Sequence, residues 1–200
     1  MVKAVLFDLG KVLFHFNFKP AFRRLARVAA LTPEDIGDYF VDSGLEVLYD
    51  SGRIGSLDFY RRVKKTLGLS LNYPQFKKIW NEIFTPNLTV IRLVRRLKKK
   101  SRLVLISNTN AMHFEYLRSR YAVLGDFDKC ILSYKEKVRK PDERIYRSAI
   151  RACKARPHEI FYIDDRSDLT KAAGAMGFQT FTYRNHPRGL VQKMKKLGLL

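Results

Sequence analysis

The stretch from Val5 to Leu13, V-L-F-D-L-G-K-V-L, constrains this chain more than any other. Val2, Ala4, Val5, Leu6 and Phe7 form a short, nearly continuous apolar run. A run of that length ended by a turn signal reads as a strand buried on both faces, as in a parallel sheet. It stops on Asp8. Gly10, two residues on, is expected to let the backbone turn sharply and come close to another group. One carboxylate is thereby set at the carboxyl end of a buried strand, where open α/β sheets bind their ligands. A plain turn aspartate fits this stretch equally well, so the reading depends on what other strands bring to the same edge.

Downstream, Val12 to Phe18 alternates imperfectly and reads as an irregular hairpin or linker leaving the core. Pro20 opens a helix over about 21–31, with Phe22, Leu25, Val28 and Ala29 at helical spacing. Thr32-Pro33-Glu34-Asp35 is a helix start built of a capping threonine, a first-turn proline and two acids. That helix runs to about Val41, and a short one follows over 42–50. After the loop Asp50-Ser51-Gly52-Arg53-Ile54-Gly55, Ser56 is expected to cap a helix to about Leu67. Pro74 opens another, to about Phe84. No strand pattern appears between residues 17 and 86. From residue 88 the chain alternates helices with short apolar strands at 102–106, 129–132, 160–163 and 178–182. Gly177 ends the helix over 169–176, and 187–197 is a basic closing helix.

Strands alternating with helices imply a parallel sheet covered on both faces. The expected fold is α/β: a Rossmann-like parallel sheet core, residues 1–16 and 87–200, with an inserted all-helical cap over 17–86. The crevice between the two is the natural substrate site. Two hundred residues suit this plan of a core with a smaller inserted unit. No apolar run is long enough to span a bilayer, and Asp8 interrupts the only apolar run near the N-terminus, so no signal-peptide layout is seen. Cys130 and Cys153 make neither a disulfide framework nor a metal pattern. Free thiols in a reducing compartment fit, and the expected location is the cytoplasm.

Thirty-nine Lys and Arg against nineteen Asp and Glu leave a net charge of +20. Such a surface draws in anionic ligands and is compatible with non-specific nucleic-acid binding. The charge is spread over many segments rather than held in one tail, which favours a solvated basic surface. No zinc-knuckle or RNA-recognition pattern accompanies it.

Three further groups reach the sheet edge. The strand at 102–106 leads into Ser107-Asn108-Thr109-Asn110 before a helix, a set of hydroxyl, amide and free N–H groups suited to an anion or to plain helix capping. The strand at 129–132 is followed by Lys137-Val138-Arg139-Lys140-Pro141, where the proline holds Lys140 extended. A lysine here can neutralise a bound phosphate. The strand at 160–163 ends in Asp164-Asp165. Adjacent carboxylates are unfavourable neighbours unless a cation or donor is near, and Mg2+ suits one or two carboxylates with water and phosphate. Asp168, one turn on, is a candidate outer group.

Asp8, Ser107, Lys140 and Asp164-Asp165 thus follow four successive core strands. That order, with the phrases F-D-L-G-K-V, S-N-T-N, R-K-P and D-D, resembles the haloacid dehalogenase-like hydrolase superfamily. The resemblance covers the whole chain, and the insert looks like that family's small helical cap. D-L-G and S-N-T-N-x-x-H look closest to its phosphatases acting on α-D-glucose 1-phosphate. The resemblance implies that Asp8 is a nucleophile forming an aspartyl phosphate. It implies Mg2+ held by Asp8, the Gly10 carbonyl and Asp165 with Asp164 close by. It also implies phosphate oxygens held by Ser107 and N–H groups near Asn108, and a Lys140 that neutralises phosphate and orients Asp8.

Gly10 departs from the family pattern, which more often has a second aspartate there as general acid and base. Three explanations stand: a leaving oxygen acidic enough to need little protonation, another group such as His15 or a cap residue, or weak catalysis. Leu169 is a second departure, since related chains often place Asn or Asp there. His113 shares a helix face with Asn110 and is either a substrate contact or a packing histidine. In the cap, Tyr49 to Ile54 resembles the loop that such caps point at the active site; Arg53 there is either a substrate contact or, the favoured reading, solvated. The expected activity is a Mg-dependent phosphatase for a small phosphomonoester, in particular a sugar phosphate. The rivals are a 2-haloacid dehalogenase, attacking carbon from Asp8 without metal, and a weakly catalytic binding or regulatory protein using its basic surface.

Overall fold

The computed structural model describes residues 1–200. The chain opens with β1 (Ala4–Phe7) and β2 (Phe14–Phe16), then runs through α1 (Lys19–Ala29), α2 (Pro33–Asp42), α3 (Leu45–Asp50), α4 (Ser56–Leu67) and α5 (Tyr73–Asn81) to β3 (Phe84–Pro86). It continues as α6 (Leu88–Leu97), β4 (Arg102–Ser107), α7 (Ala111–Arg120), β5 (Lys129–Leu132), α8 (Ser133–Glu136) and α9 (Glu143–Cys153). It closes with β6 (Ile160–Asp164), α10 (Ser167–Ala175), β7 (Gln179–Thr182) and α11 (Pro187–Lys196).

Five strands form one parallel sheet in the order β5-β4-β1-β6-β7. β1 lies at its centre, and all four of its residues are buried. Side chains alternate across a strand, so Val5 and Phe7 join one apolar core with α6, α7 and α11. Ala4 and Leu6 join the other, with α9 and α10. Both faces being apolar explains the unbroken run at the N-terminus. Strand order reverses beside β1, between the step to β4 on one side and to β6 on the other. That is the switch point at which open sheets place their ligands.

Helices α1–α5 enclose an aromatic core of their own. Trp80, fully buried, stacks on Phe76 at 5.8 Å and packs against Phe40 and Phe59 at 4.8 and 5.2 Å between centroids. Met112 of α7 closes this core from the sheet side. The helix starts explain themselves locally: Thr32–Asp35 and Asn72–Gln75 both form reciprocal capping boxes with proline in the first turn.

Several local expectations need correction. Phe84–Pro86 is a strand inside the block read as helical, and it pairs antiparallel with Phe14–Phe16 in the register Phe14↔Pro86, His15↔Thr85, Phe16↔Phe84. α5 accordingly stops at Asn81 instead of reaching Phe84. Three-residue strands are too short to show a period, and this pairing spans seventy residues of sequence. Gly55, not Ser56, is the cap of α4; the Ser56 hydroxyl shares a hydrogen bond with Tyr49 at 2.6 Å. No helix is long and apolar enough to cross a membrane.

Candidate active site

Asp8 follows β1 directly, and its N–H donates to the Ile163 carbonyl of β6 at 2.9 Å. The sharp turn expected at Gly10 is made one residue later, by Lys11 at φ 54°. A non-glycine residue there costs roughly 1–3 kcal/mol, strain of a kind found at functional sites. Gly10 has no unusual φ; a Cβ on it would stand 3.0 Å from Phe16 Cε1 and 4.0 Å from Asp8 Oδ2. The glycine is needed for space beside the Phe16 ring, not for backbone freedom.

Lys140 Nζ donates to Asp8 Oδ1 at 2.7 Å and to Asp164 Oδ2 at 2.6 Å, with all three side chains buried. Its position is set by Asn108, whose side chain accepts from the Lys140 N–H at 2.8 Å and donates to the Lys140 carbonyl at 3.0 Å. The Asn108 side chain is therefore occupied, and what it leaves for a ligand is its peptide N–H. Asp164 also accepts from the Tyr162 hydroxyl and, at 2.9 Å, from the Arg166 N–H. Asp165, half-buried, lies 3.8 Å from the exposed Lys11 ammonium.

Carboxylate oxygens of Asp8, Asp164 and Asp165 lie within 4.8 Å of one another. Burial raises the Asp8 carboxyl to about 7 against the pull of Lys140, and Asp164 adds to the rise. Asp165 is raised by burial and then by Asp164. Burial lowers Lys140, but the charges of Asp8 and Asp164 outweigh it and hold the ammonium protonated. Three carboxylates surround one buried ammonium, and the remaining negative charge faces only more exposed cations, Lys11 and Arg166. An oxygen-only, electron-rich cluster of this kind fits a hard divalent cation such as magnesium.

Two cavities meet over this cluster. One, of about 290 Å³, is lined by Asp8, Gly10, Lys140, Asp164, Asp165 and Arg166 among others. The second, of about 160 Å³, lies under the helical block. Ser107, buried at the end of β4, forms its floor with Asn108 and Asn110, and Leu9, Phe16, Phe18, Ile83 and Phe84 form an apolar wall. Gly10, Phe16 and Asn108 line both. Asp8, Gly10, Ser107, Asn108, Lys140, Asp164 and Asp165 thus surround one pair of adjoining cavities.

Glu46 and Asp50 of α3 also line the second cavity; Asp50 lies in the stretch 49–54 that resembles a cap loop aimed at the active site, and Glu46 carries no sequence signal. Asp50 is tied to the core: Asn110 Nδ2 donates to it at 3.1 Å, and Arg139 lies 3.7 Å away. At Gly52, φ is +62° and a Cβ would stand 2.1 Å from the Tyr134 carbonyl oxygen, so only glycine lets this loop dock. Arg53 is exposed and borders a different cavity. Asp168 faces away, paired with Arg166 at 2.6 Å. His113 is buried, stacked on Trp80, with Nδ1 3.1 Å from Asn81 Oδ1 and no partner on Nε2. Burial lowers it to about 3. His15 lines a neighbouring opening with Lys11 and Asp165, which also line the first cavity, and it does not line the second.

A central parallel sheet with carboxylates and a lysine converging at its switch point defines a hydrolase of the α/β kind. Residues 2–177 match the family model of the haloacid dehalogenase-like hydrolases, and the chain belongs to that family. It is similar to sesquiterpene phosphatase astK of Aspergillus oryzae, with 27% identity over 178 residues, covering 88% of this chain and 86% of the relative. Among solved structures it resembles a HAD family enzyme of Bacteroides thetaiotaomicron in complex with magnesium and inorganic phosphate. That match has 26% identity and a TM-score of 0.82 over 92% of this chain and 95% of the other. A predicted HAD-like hydrolase of Porphyromonas gingivalis matches with 26% identity and a TM-score of 0.84 over 98% of each chain.

Proposed function

We propose that the protein is a magnesium-dependent phosphatase acting on a small phosphomonoester through an aspartyl phosphate on Asp8. The observation that carries this reading is the Lys140 ammonium bonded to both Asp8 and Asp164 beside Asp165. In the mechanism, Asp8 Oδ2 attacks phosphorus while Oδ1 stays on Lys140. Ser107 and the N–H groups after β4 bind the phosphoryl oxygens. Asp8, the Gly10 carbonyl and Asp165, with Asp164 adjacent, would hold magnesium, which would offset the charge of the carboxylate and phosphate. Water then opens the acyl phosphate and restores Asp8. A metal-free dehalogenase would leave the carboxylate cluster uncompensated, which speaks against that rival.

The second cavity is small beside the roughly 300–1,000 Å³ usual for drug-sized ligands, so the leaving group is small. A sugar phosphate fits with its C–H face against Phe16 and Phe18. The apolar wall, and a relative named for a sesquiterpene phosphate, support a second reading: the monophosphate of an apolar alcohol. Phosphate release from glucose 1-phosphate, phosphoglycolate, nucleotides and prenyl monophosphates, with magnesium and with chelator, tests both. Asp8→Asn is expected to lose activity by a factor on the order of 10⁴ or more. Release that persists in Asp8→Asn or in chelator would sink the proposal.

A further inference from the structure

Breaking a P–O bond to an alcohol leaves an alkoxide that must be protonated, and the buried groups around Asp8 have no proton to spare, while the exposed Lys11 ammonium lies toward Asp165. Gly10 has no side chain. Lys140 is held by two carboxylates. The Tyr162 hydroxyl is committed to Asp164.

The leaving group's own cavity has three titratable side chains: Glu46, Asp50 and His113. Asp50 accepts from Asn110 and faces Arg139. His113 gives its Nδ1 proton to Asn81 Oδ1 and keeps only a lone pair on Nε2. Glu46 differs from both. It stands in the first turn of α3, half-buried, and its carboxyl makes no hydrogen bond and no ion pair, while Asp50 on the same helix is bonded to Asn110 and faces Arg139.

We propose, building on the phosphatase reading, that Glu46 is the acid–base residue of the reaction, delivered by the helical block. As Asp8 bonds to phosphorus, the P–O bond to the alcohol breaks, its electron pair goes to the alcohol oxygen, and the Glu46 proton follows. In the second step water attacks phosphorus and the P–O bond to Asp8 breaks, returning its electron pair to the carboxylate. The water proton goes to Glu46, which is then ready to act again.

The electrostatics agree with this placement. Burial raises the Glu46 carboxyl to about 7, with Asp50 on the same helix adding and Arg139 opposing. Across the cavity His113 stays neutral. A proton donor works best when its pKa lies near the working pH.

The test is Glu46→Gln, which keeps size and polarity but removes the proton. With an alkyl phosphate, kcat/KM is expected to fall on the order of 10²-fold, and the basic limb of its pH profile should vanish. With p-nitrophenyl phosphate, whose leaving group needs no proton, kcat/KM should fall at least about tenfold less. Phosphoenzyme, seen by intact-protein mass, should build up because its hydrolysis has lost the base. Wild-type melting behaviour of the variant shows that the fold is kept, and Glu46→Asp should regain part of the lost rate. Equal losses for both leaving groups, or an unchanged basic limb, would overturn the role of Glu46. A wild-type protein that releases no phosphate from either compound would overturn the phosphatase reading itself.

Discussion

Asp8 should destabilise the magnesium-free protein in a way that pH reveals. Its carboxyl is raised from 3.8 to about 7, by burial first and by Asp164 against the pull of Lys140. The unfolded chain releases this proton near its ordinary value. Between the two values the folded state holds a proton that the unfolded state has lost. The stability this group confers is therefore complete below about pH 4 and is lost as pH rises through about 7. At about 1.4 kcal/mol per pH unit over about three units, the upper bound is about 4 kcal/mol. In a chain of this size 1 kcal/mol moves Tm by about 2–4 °C. Asp8→Asn keeps an oxygen that can accept from Lys140 but carries no charge. In chelator at pH 8 it is expected to melt several degrees above the wild type, with the gap closing near pH 4. Glu46, Asp50 and Asp165 are raised in the same direction but are present in both proteins, so they cancel in the difference. Magnesium at a hundred times its Kd should add about 2.7 kcal/mol to the wild type, and less to Asp8→Asn. Scanning calorimetry across pH 4–8, with and without magnesium, gives the answer. A gap of one size at both ends of that range, or equal gains from magnesium, would refute the reasoning.

Two other substitutions follow from the same contacts. Asn108→Ala removes the pair of hydrogen bonds at 2.8 and 3.0 Å that fix the Lys140 backbone. Stability should drop by about 2 kcal/mol at about 1 kcal/mol per bond, and kcat should fall about tenfold or more. Inhibition by inorganic phosphate should hardly change, because the peptide N–H of residue 108 remains; a large loss of phosphate inhibition would assign the side chain a direct contact instead. Gly10→Asp puts a Cβ 3.0 Å from the Phe16 ring, so it should lower Tm, and adding Phe16→Ala should recover most of the loss. If a poor leaving group is what the glycine fails to serve, Gly10→Asp should raise kcat/KM for alkyl phosphates more than for sugar 1-phosphates, and equal effects would remove that explanation.

The core was legible in the sequence because its rules are local. Four short, largely apolar runs end on Asp8, Ser107, Leu132 and Asp164, and their length and the turn or helix-start signals that follow them read as buried strands. Since parallel strands share one carboxyl edge, residues dispersed over 8–165 had to converge. What stayed hidden is set by contacts between distant segments. Asp50 and Glu46 sit on a six-residue helix whose composition is unremarkable, and they reach the cavity only because Gly52 docks under Tyr134 and Asn110 holds Asp50. The β2–β3 ribbon joins residues with no pattern in common. Asp168 is a candidate outer group by its spacing, but an arginine two residues back pairs with it on the surface.

The ribbon and the glycine are parts of one arrangement. Lys11 N–H bonds back to the Phe14 carbonyl at 2.7 Å, closing the turn after Asp8 so that β2 starts beside the carboxylates. β2 then pairs with β3, which clamps the two crossings between sheet and helical block side by side, and Asn87 fastens the second crossing to the Val12 carbonyl and the Tyr183 hydroxyl, each at 3.0 Å. Strand pairing fixes Phe16 opposite Phe84, and that position lays its ring over residue 10. A side chain at residue 10 and a ring at residue 16 compete for one space. With the ring in place, the wall facing the leaving group is apolar on the ribbon side, and the unpaired carboxyl on the cavity is the one that α3 presents. The glycine that breaks the family pattern and the aromatic wall are then parts of a single packing arrangement made by six residues of ribbon.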